Sequence, residues 1–236
     1  NYLLSKTSYI KGLQCQKALF FYRHHPQLRD PIPPARQATF NRGHEVGNLA
    51  RHLFPGGKDA TEKIDGKTAK PVERTQELIA AGINVIYEAA FIFDEVLVLV
   101  DILVRDGEKW KAFEVKSSLR LSKSYYQDAA LQYYVLSNAG LTISDFSLVH
   151  LNSDYVLSGA LDLNKLFLFV SILKFAKEKL PSIIENITSH KIVLKGKDIP
   201  EVAIGEQCFS PYECDYRGQC WKHLPIGSVF ELTGVN

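Results

Sequence analysis

The chain strings three β-rich runs together, "NVIYEAAFIF", "VLVLVDILVR" and "WKAFEVK", with only Asp94-Glu95 and Asp106 to Lys109 between them. Connections this short permit hairpins and nothing longer, so the runs form an antiparallel meander. Strand side chains alternate between faces, which puts Glu114 and Lys116 on the same side. Register then decides where Asp101 falls. A four-residue loop from Asp106 to Lys109 pairs Arg105 with Trp110 and sets Asp101 opposite Glu114. A two-residue loop at Asp106-Gly107 sets Asp101 opposite Ala112, diagonal to Glu114. Either way Asp101 and Glu114 share a face. With Asp94-Glu95 as the first loop, Phe93 pairs with Val96 and Glu88 lies opposite Asp101.

The neighbours expected on that face are apolar (Ile86, Ala90, Leu99, Leu103, Ala112), and so is the opposite set (Val85, Phe91, Val98, Val100, Ile102, Val104, Phe113, Val115). A sheet of this kind is covered on both sides. Like charges facing each other destabilise a sheet, and an unpaired buried carboxylate costs several kcal/mol, so three carboxylates in line need a cation. A hard divalent ion such as Mg²⁺ or Mn²⁺ suits carboxylate oxygens, with Lys116 beside it to orient a water for attack on a phosphodiester. The plainer alternative is an edge salt bridge from Lys116 to Glu114 or Asp101.

Elsewhere, "TSYIKGLQCQKALFFYR" reads as one helix with Thr7 or Ser8 as N-cap, Ile10, Leu13, Lys17 and Phe20 on one stripe, and Pro26 as its stop. A loop with three prolines, "DPIPPAR", precedes a helix over "QATFNRGHEVGNLARHLF", and a shorter helix covers "PVERTQELIAAG". After the meander come an amphipathic helix, "SKSYYQDAALQYYVLSNAG", with Gly140 as C-cap, a strand "FSLVHLN", and a helical stretch from about Leu163 to His190. Of the 236 residues, 46% are hydrophobic and 23% charged, which is globular composition. The net charge of +2 makes no bulk case for nucleic acid or acidic membranes, so any basic groove is local. No apolar run outside the strands reaches the roughly 20 residues of a membrane span, and no signal-peptide core opens the chain, which points to a cytoplasmic protein. Methionine is absent and the final "IGSVFELTGVN" stops in mid-pattern, so we expect one domain over 1–225, with 226–236 beginning a linker or a following domain of something longer.

The four cysteines are Cys15 near the start and Cys208, Cys214 and Cys220 in "CFSPYECDYRGQC". A cytoplasmic setting disfavours disulfides. Structural zinc prefers Cys-x-x-Cys knuckles, whereas this triplet is spaced by five intervening residues twice, which suits a bulkier group; zinc and a [4Fe-4S] cluster both remain open on spacing alone.

Asp101, twelve intervening residues and then Glu114-Val115-Lys116 on a hairpin resemble the PD-(D/E)xK nuclease superfamily, with Val100 where a proline often stands. The resemblance implies a restriction-endonuclease-like α/β core, a mixed central sheet flanked by helices. In the RecB-like branch a histidine on an upstream helix is a further metal ligand, which His44 in "RGHEVGNLAR" matches; Gly43 and Gly47 flank it and are expected to let that helix approach the sheet. His24, His25 and His52 lack that context and are assigned to surface or packing. The helix after the catalytic strand carries a glutamine and a tyrosine in that branch, matched by Gln132 with Tyr133 or Tyr134, although the usual spacing is not reproduced. The order Cys15, His44, Asp101, Glu114, Lys116, Gln132, then the triplet, is similar to that of CRISPR-associated iron-sulfur exonucleases and AddB-type helicase-nucleases, and covers about residues 5 to 223. A less characterised bacterial relative with an "LSKTSYIKGLQC"-type start, extending past this C-terminus, is also similar.

The resemblance implies a metal-dependent deoxyribonuclease, an exonuclease on single-stranded DNA ends. His44, Asp101, Glu114 and the Val115 carbonyl would hold Mg²⁺ or Mn²⁺; Lys116 would position the water; Glu88 would add a carboxylate or hold the lysine. Cys15, Cys208, Cys214 and Cys220 would hold a structural [4Fe-4S] cluster stapling the two chain ends. Arg36, Arg42, Arg51, Lys116, Arg120 and Lys123 are candidates for phosphate contacts, with solvated surface charge as the bland reading. The rival function is a non-catalytic nucleic-acid-binding module of a larger protein, with the same fold and a metal site built from the four cysteines.

Overall fold

The computed structural model describes residues 3–62 and 70–225. The expected linker over 226–236 lies outside the described residues. Strands β1 (Leu4–Ser5), β2 (Lys58–Asp59), β3 (Val85–Phe93), β4 (Val96–Asp106), β5 (Lys109–Lys116), β6 (Ile143–Leu151) and β7 (Phe167–Ser171) form one mixed sheet in the order β2-β3-β4-β5-β6-β7, with β1 beside β4. The helices are α1 (Lys6–Gln14), α2 (Gln16–His24), α3 (Pro34–Arg51), α4 (Pro71–Ala80), α5 (Lys123–Asn138), α6 (Leu163–Leu166), α7 (Leu173–Lys195) and α8 (Arg217–Trp221). Among the described residues no helix is long and apolar enough to cross a membrane.

The meander forms as expected. Asp94 and Glu95 both take positive φ, 49° and 58°, the geometry of the tight turn that matches strand twist. The second hairpin adopts the Arg105-to-Trp110 register, and Asp106 pairs with Lys109 as well, leaving Gly107 and Glu108 as the turn. Strands β5 and β6 are parallel, joined by α5 as a crossover, and Gly140 ends that helix at φ 97°.

Two expectations about helices are corrected. The first segment is two helices, because Cys15 is extended (φ −163°, ψ 119°) and turns the chain between them; the N-cap is Ser5, in a capping box with Ser8. The stretch from Leu163 to His190 is interrupted by β7, whose "FLFVS" pairs antiparallel with β6. A short apolar run has no periodicity to distinguish a strand from a helix, and this one lay beside a true helix.

The alternation of faces is also corrected. Ile86, Leu103 and Ala112 join the larger core, packed by α1, α2, α5 and α7, while Val85, Tyr87, Ile102, Val104, Phe113 and Val115 join a smaller one under α3. Past Glu88 and Asp101 the pattern reverses: Ala89, Phe91, Val98 and Val100 lie in the larger core, not with Ile102 as alternation requires. Glu88 takes a left-handed φ of 51°, and neither Glu88 nor Asp101 is a paired residue of the β3–β4 ladder, which resumes in the same register on both sides. Both strands therefore change phase where they carry a carboxylate. Beyond that point the α3 side is thinly covered, with Ile92 40% exposed, so the expectation of a sheet covered on both faces holds only for its upper half.

On the opposite side of the larger core, His190 is buried against α1, with Nε2 at 3.1 Å from the Tyr9 carbonyl. Burial lowers its pKa to about 4, against the pull of that carbonyl. A Cβ on Gly12 would stand 2.5 Å from the ring, so only glycine lets the helices meet. Gly12→Ala is expected to cost about 1–3 kcal/mol in urea denaturation, as an overpacked contact does; an unchanged midpoint would contradict it.

Candidate active site

Strand β4 exchanges partners along one edge. It pairs with β5 from Asp106 back to Ile102, and with β1 at Val96 and Leu97, leaving a gap between. Asp101 stands at the gap. Its Oδ2 accepts the Val115 backbone N–H at 2.7 Å, so a side chain replaces the next rung of the ladder and holds the two strands apart. Residue 6 follows β1 directly and enters the same gap at the start of α1.

Glu114, 3% exposed, is the centre of the arrangement. Lys6 Nζ lies 3.1 Å from both its oxygens, Lys116 Nζ 2.7 Å from Oε1, and Gln132 Nε2 2.8 Å from Oε2. Lys116 also reaches Asp128 at 2.6 Å and stands over the ring of Tyr125, 5.1 Å from its centroid. Gln132 Nε2 meets Asp128 at 3.3 Å, one helical turn back on α5, and its buried Oε1 meets no donor among the described residues.

Burial pushes the Glu114 carboxyl up to about 7; Asp101 adds to the shift, and Lys116 and Lys6 oppose it. Asp101 is raised as well, first by burial, with Lys6 opposing and Glu88 adding. Burial works against the charge of Lys116, yet Asp128, Glu114 and Asp101 together hold its pKa well above the ordinary value. Burial also opposes ionisation of Asp128, and Lys116 and Lys6 keep it well below the carboxylate range.

The predicted residues separate into two groups. His44, Glu88, Asp101, Glu114 and Val115 line one cleft of about 380 Å³ with Thr39, Phe40, Gly43, Gly47, Asn48 and Arg51. Gly43 and Gly47 do not let α3 approach the sheet: a Cβ on either would meet nothing within 4 Å, and they widen the cleft. Gln132 is brought to Glu114 as expected, but Tyr133 and Tyr134 belong to the core, Tyr134 packing edge-on to Phe93. Arg51 bonds Asp59 at 2.7 Å and Glu88 at 3.0 Å, Arg36 pairs with Asp215, and Lys116 with its two carboxylates, so these three cations are engaged internally. Sequence reasoning missed Lys6, Asp128 and Tyr125. Asp128 and Tyr125 share α5 with Gln132, and a helix projection from that residue would have found Asp128; nothing in the sequence marks Lys6.

Cys15, Cys208, Cys214 and Cys220 line one enclosed space, and all four thiols are free. Cys208 and Cys214 sit on a segment tied back to α1, and Cys220 follows on α8: Gln14 donates to the carbonyls of Gln207 and Tyr212 at 2.8 and 2.6 Å, and Lys11 pairs with buried Asp215 at 2.8 Å. Burial pushes the Cys214 thiol up to about 11, with Cys15 and Cys208 adding. Thiols from both ends of the described chain therefore line the same space. Among the described residues, no three His, Cys, Asp or Glu side chains are drawn tightly enough to hold a single ion, here or in the cleft.

No protein-family model matches the chain, and no curated protein matches its sequence. Among solved structures, SSO0001 superposes with a TM-score of 0.42 at 11% identity, covering 85% of this chain and 80% of its own. An alkaline exonuclease from Laribacter hongkongensis, LHK-Exo, gives a TM-score of 0.42 at 11% identity, covering 82% and 91%.

The raised pKa of Glu114 sets a sign for stability. The folded state holds this proton up to about pH 7, whereas an ordinary glutamate releases it near 4.5. Its stabilising contribution is therefore complete below 4.5 and is lost as pH rises through 7. Thermal melting is expected to show the wild type losing stability relative to Glu114→Gln between pH 5 and pH 8. The opposite slope would mean that Glu114 is stabilised as an anion.

Proposed function

We propose that the chain is a metal-dependent deoxyribonuclease of the RecB-like PD-(D/E)xK class, with a restriction-endonuclease-like core, acting as an exonuclease on single-stranded DNA ends. The observation that carries this reading is the convergence of Asp101 and Glu114, from strands held apart by the Val115–Asp101 hydrogen bond, in a cleft that His44 also lines. Burial raises both carboxyls, Asp101 adds to the shift of Glu114, and a bound cation would offset that cost.

By chemistry the donors, two carboxylates, an imidazole and the Val115 carbonyl, suit a hard divalent ion, and the side chains lining the cleft would have to draw in around it. Bound there, Mg²⁺ or Mn²⁺ would supply Lewis acidity for phosphodiester hydrolysis. Lys116, fixed by Asp128, holds Glu114 by Oε1 and would be the amine that positions the attacking water; Gln132 fixes the other oxygen. Glu88 is neutralised by Arg51 and supports the cleft wall. Exposed Arg42, Arg120 and Lys123 are the cations left to meet phosphates.

For Cys15, Cys208, Cys214 and Cys220 the group proposed is a [4Fe-4S] cluster, acting as a staple. A single zinc would need its thiolates about 3.8 Å apart, the edge of a tetrahedron with arms of about 2.3 Å. A multinuclear cluster suits four thiols that line one space without forming the tight shell of a single ion. The second reading, a binding module without turnover, would use the same cysteines but not need Lys116 buried between two acids.

End-labelled single-stranded DNA with Mn²⁺ is expected to be degraded by the wild type, and roughly 100-fold or more slowly by Asp101→Ala and Lys116→Ala. Binding without cleavage would favour the module. Protein purified anaerobically is expected to be brown, to contain about four irons per chain, and to bleach on oxidation. Colourless protein with stoichiometric zinc would contradict the cluster.

A further inference from the structure

Glu114 is saturated. A carboxylate offers about four lone-pair positions, and Lys6 approaches both oxygens while Lys116 takes one and Gln132 the other. An ion can use Glu114 as a ligand only when one donor withdraws.

The geometry selects which. Gln132 is fully buried and bridges Glu114 and Asp128. Lys116 is bound at 2.6 Å to Asp128, which would be left without its closest cation. Lys6 donates, among the described residues, to Glu114 alone, and its side chain is 25% exposed against 15% for Lys116. Lys6 is also the first residue of α1, in a first turn without acidic residues, where the helix dipole disfavours a cation; its ion pair with Glu114 offsets that. The helix cannot move to release it. Pairing of Leu4 and Ser5 with Val96 and Leu97 of β4 fixes one end, and Lys11 and Gln14 fasten the other to the cysteine loop. Withdrawal is therefore a motion of the flexible four-carbon side chain.

We infer that Lys6 is a built-in cation that competes with a divalent metal for the oxygens of Glu114, so that metal binding is gated by displacement of its ammonium toward solvent. The inference rests on the metal reading of this site. It assigns a role to a residue more than a hundred positions from Glu114 in sequence, and makes the N-terminal helix part of the site.

The test is Mn²⁺ binding to the full chain at pH 8 without DNA, followed by the electron paramagnetic resonance signal of free Mn²⁺, with Asp101→Ala as the reference that lacks the site. Lys6→Met is expected to bind roughly tenfold tighter than the wild type, because a nearby positive charge is removed. Lys6→Arg, whose planar fork can grip both oxygens, is expected to bind no more tightly than the wild type. Equal or weaker binding by Lys6→Met overturns the inference. Lys6→Gln, which keeps a donor without the charge, is read the same way if the methionine variant does not fold. If neither folds, Lys6 is a structural cation and the inference falls. Absence of Asp101-dependent binding in every variant overturns the inference and the metal reading together. Tighter binding by Lys6→Met with DNA left intact by the wild type would sustain the gate and sink the nuclease.

Discussion

Burying Glu114 is the constraint on which the rest of the site depends. A carboxylate removed from water is tolerated only with close compensation, and here three chain segments supply it: Lys6 from α1, Lys116 from the same strand, and Gln132 from α5. Asp128 is the counterweight that keeps the second ammonium in place. With all three acids ionised the cluster, which has two lysines, carries an excess of negative charge, and Asp101 lines the cleft.

The sheet makes room for this by breaking its own regularity. Strand β4 leaves β5 for β1, and the Asp101 side chain takes the Val115 N–H that another rung would have used. Opposite, Glu88 adopts a left-handed conformation, uncommon for a residue with a Cβ and costing of order 1–3 kcal/mol, and the ladder resumes beyond it. Regular strands would bury an unbroken apolar surface here. The phase change opens the sheet to α3, so that His44 can share a cleft with carboxylates whose strands otherwise belong to the core. The cysteine loop bears on the same region at a distance, because α1 begins at Lys6 and is capped at its other end by Cys15.

What the sequence revealed follows from how local each interaction is. Register across the meander was legible because two short turns leave few alternatives, and it placed Glu88, Asp101 and Glu114 together. Gln132 was legible only through resemblance. The reversal of faces was not, since nothing in "YEAAF" announces that Glu88 will turn left-handed. Lys6 and Asp128 were invisible for different reasons. Lys6 acts across 108 residues of chain, a contact made only by packing, whereas Asp128 is local to Gln132 but has the appearance of an ordinary surface acid. The missed β7 shows the limit of periodicity, because four apolar residues, Phe167 to Val170, fit a strand or a buried helical turn equally.

The most direct test of the central claim, that Asp101 and Glu114 are halves of one cation site, is anomalous scattering from crystals soaked in Mn²⁺. The predicted result is a peak in the cleft within coordination distance of both carboxylates, on the side facing His44, with the Lys6 ammonium moved away from Glu114. A peak bound to only one of the two carboxylates, or Mn²⁺ found only on surface acids with Lys6 still in place, would contradict it.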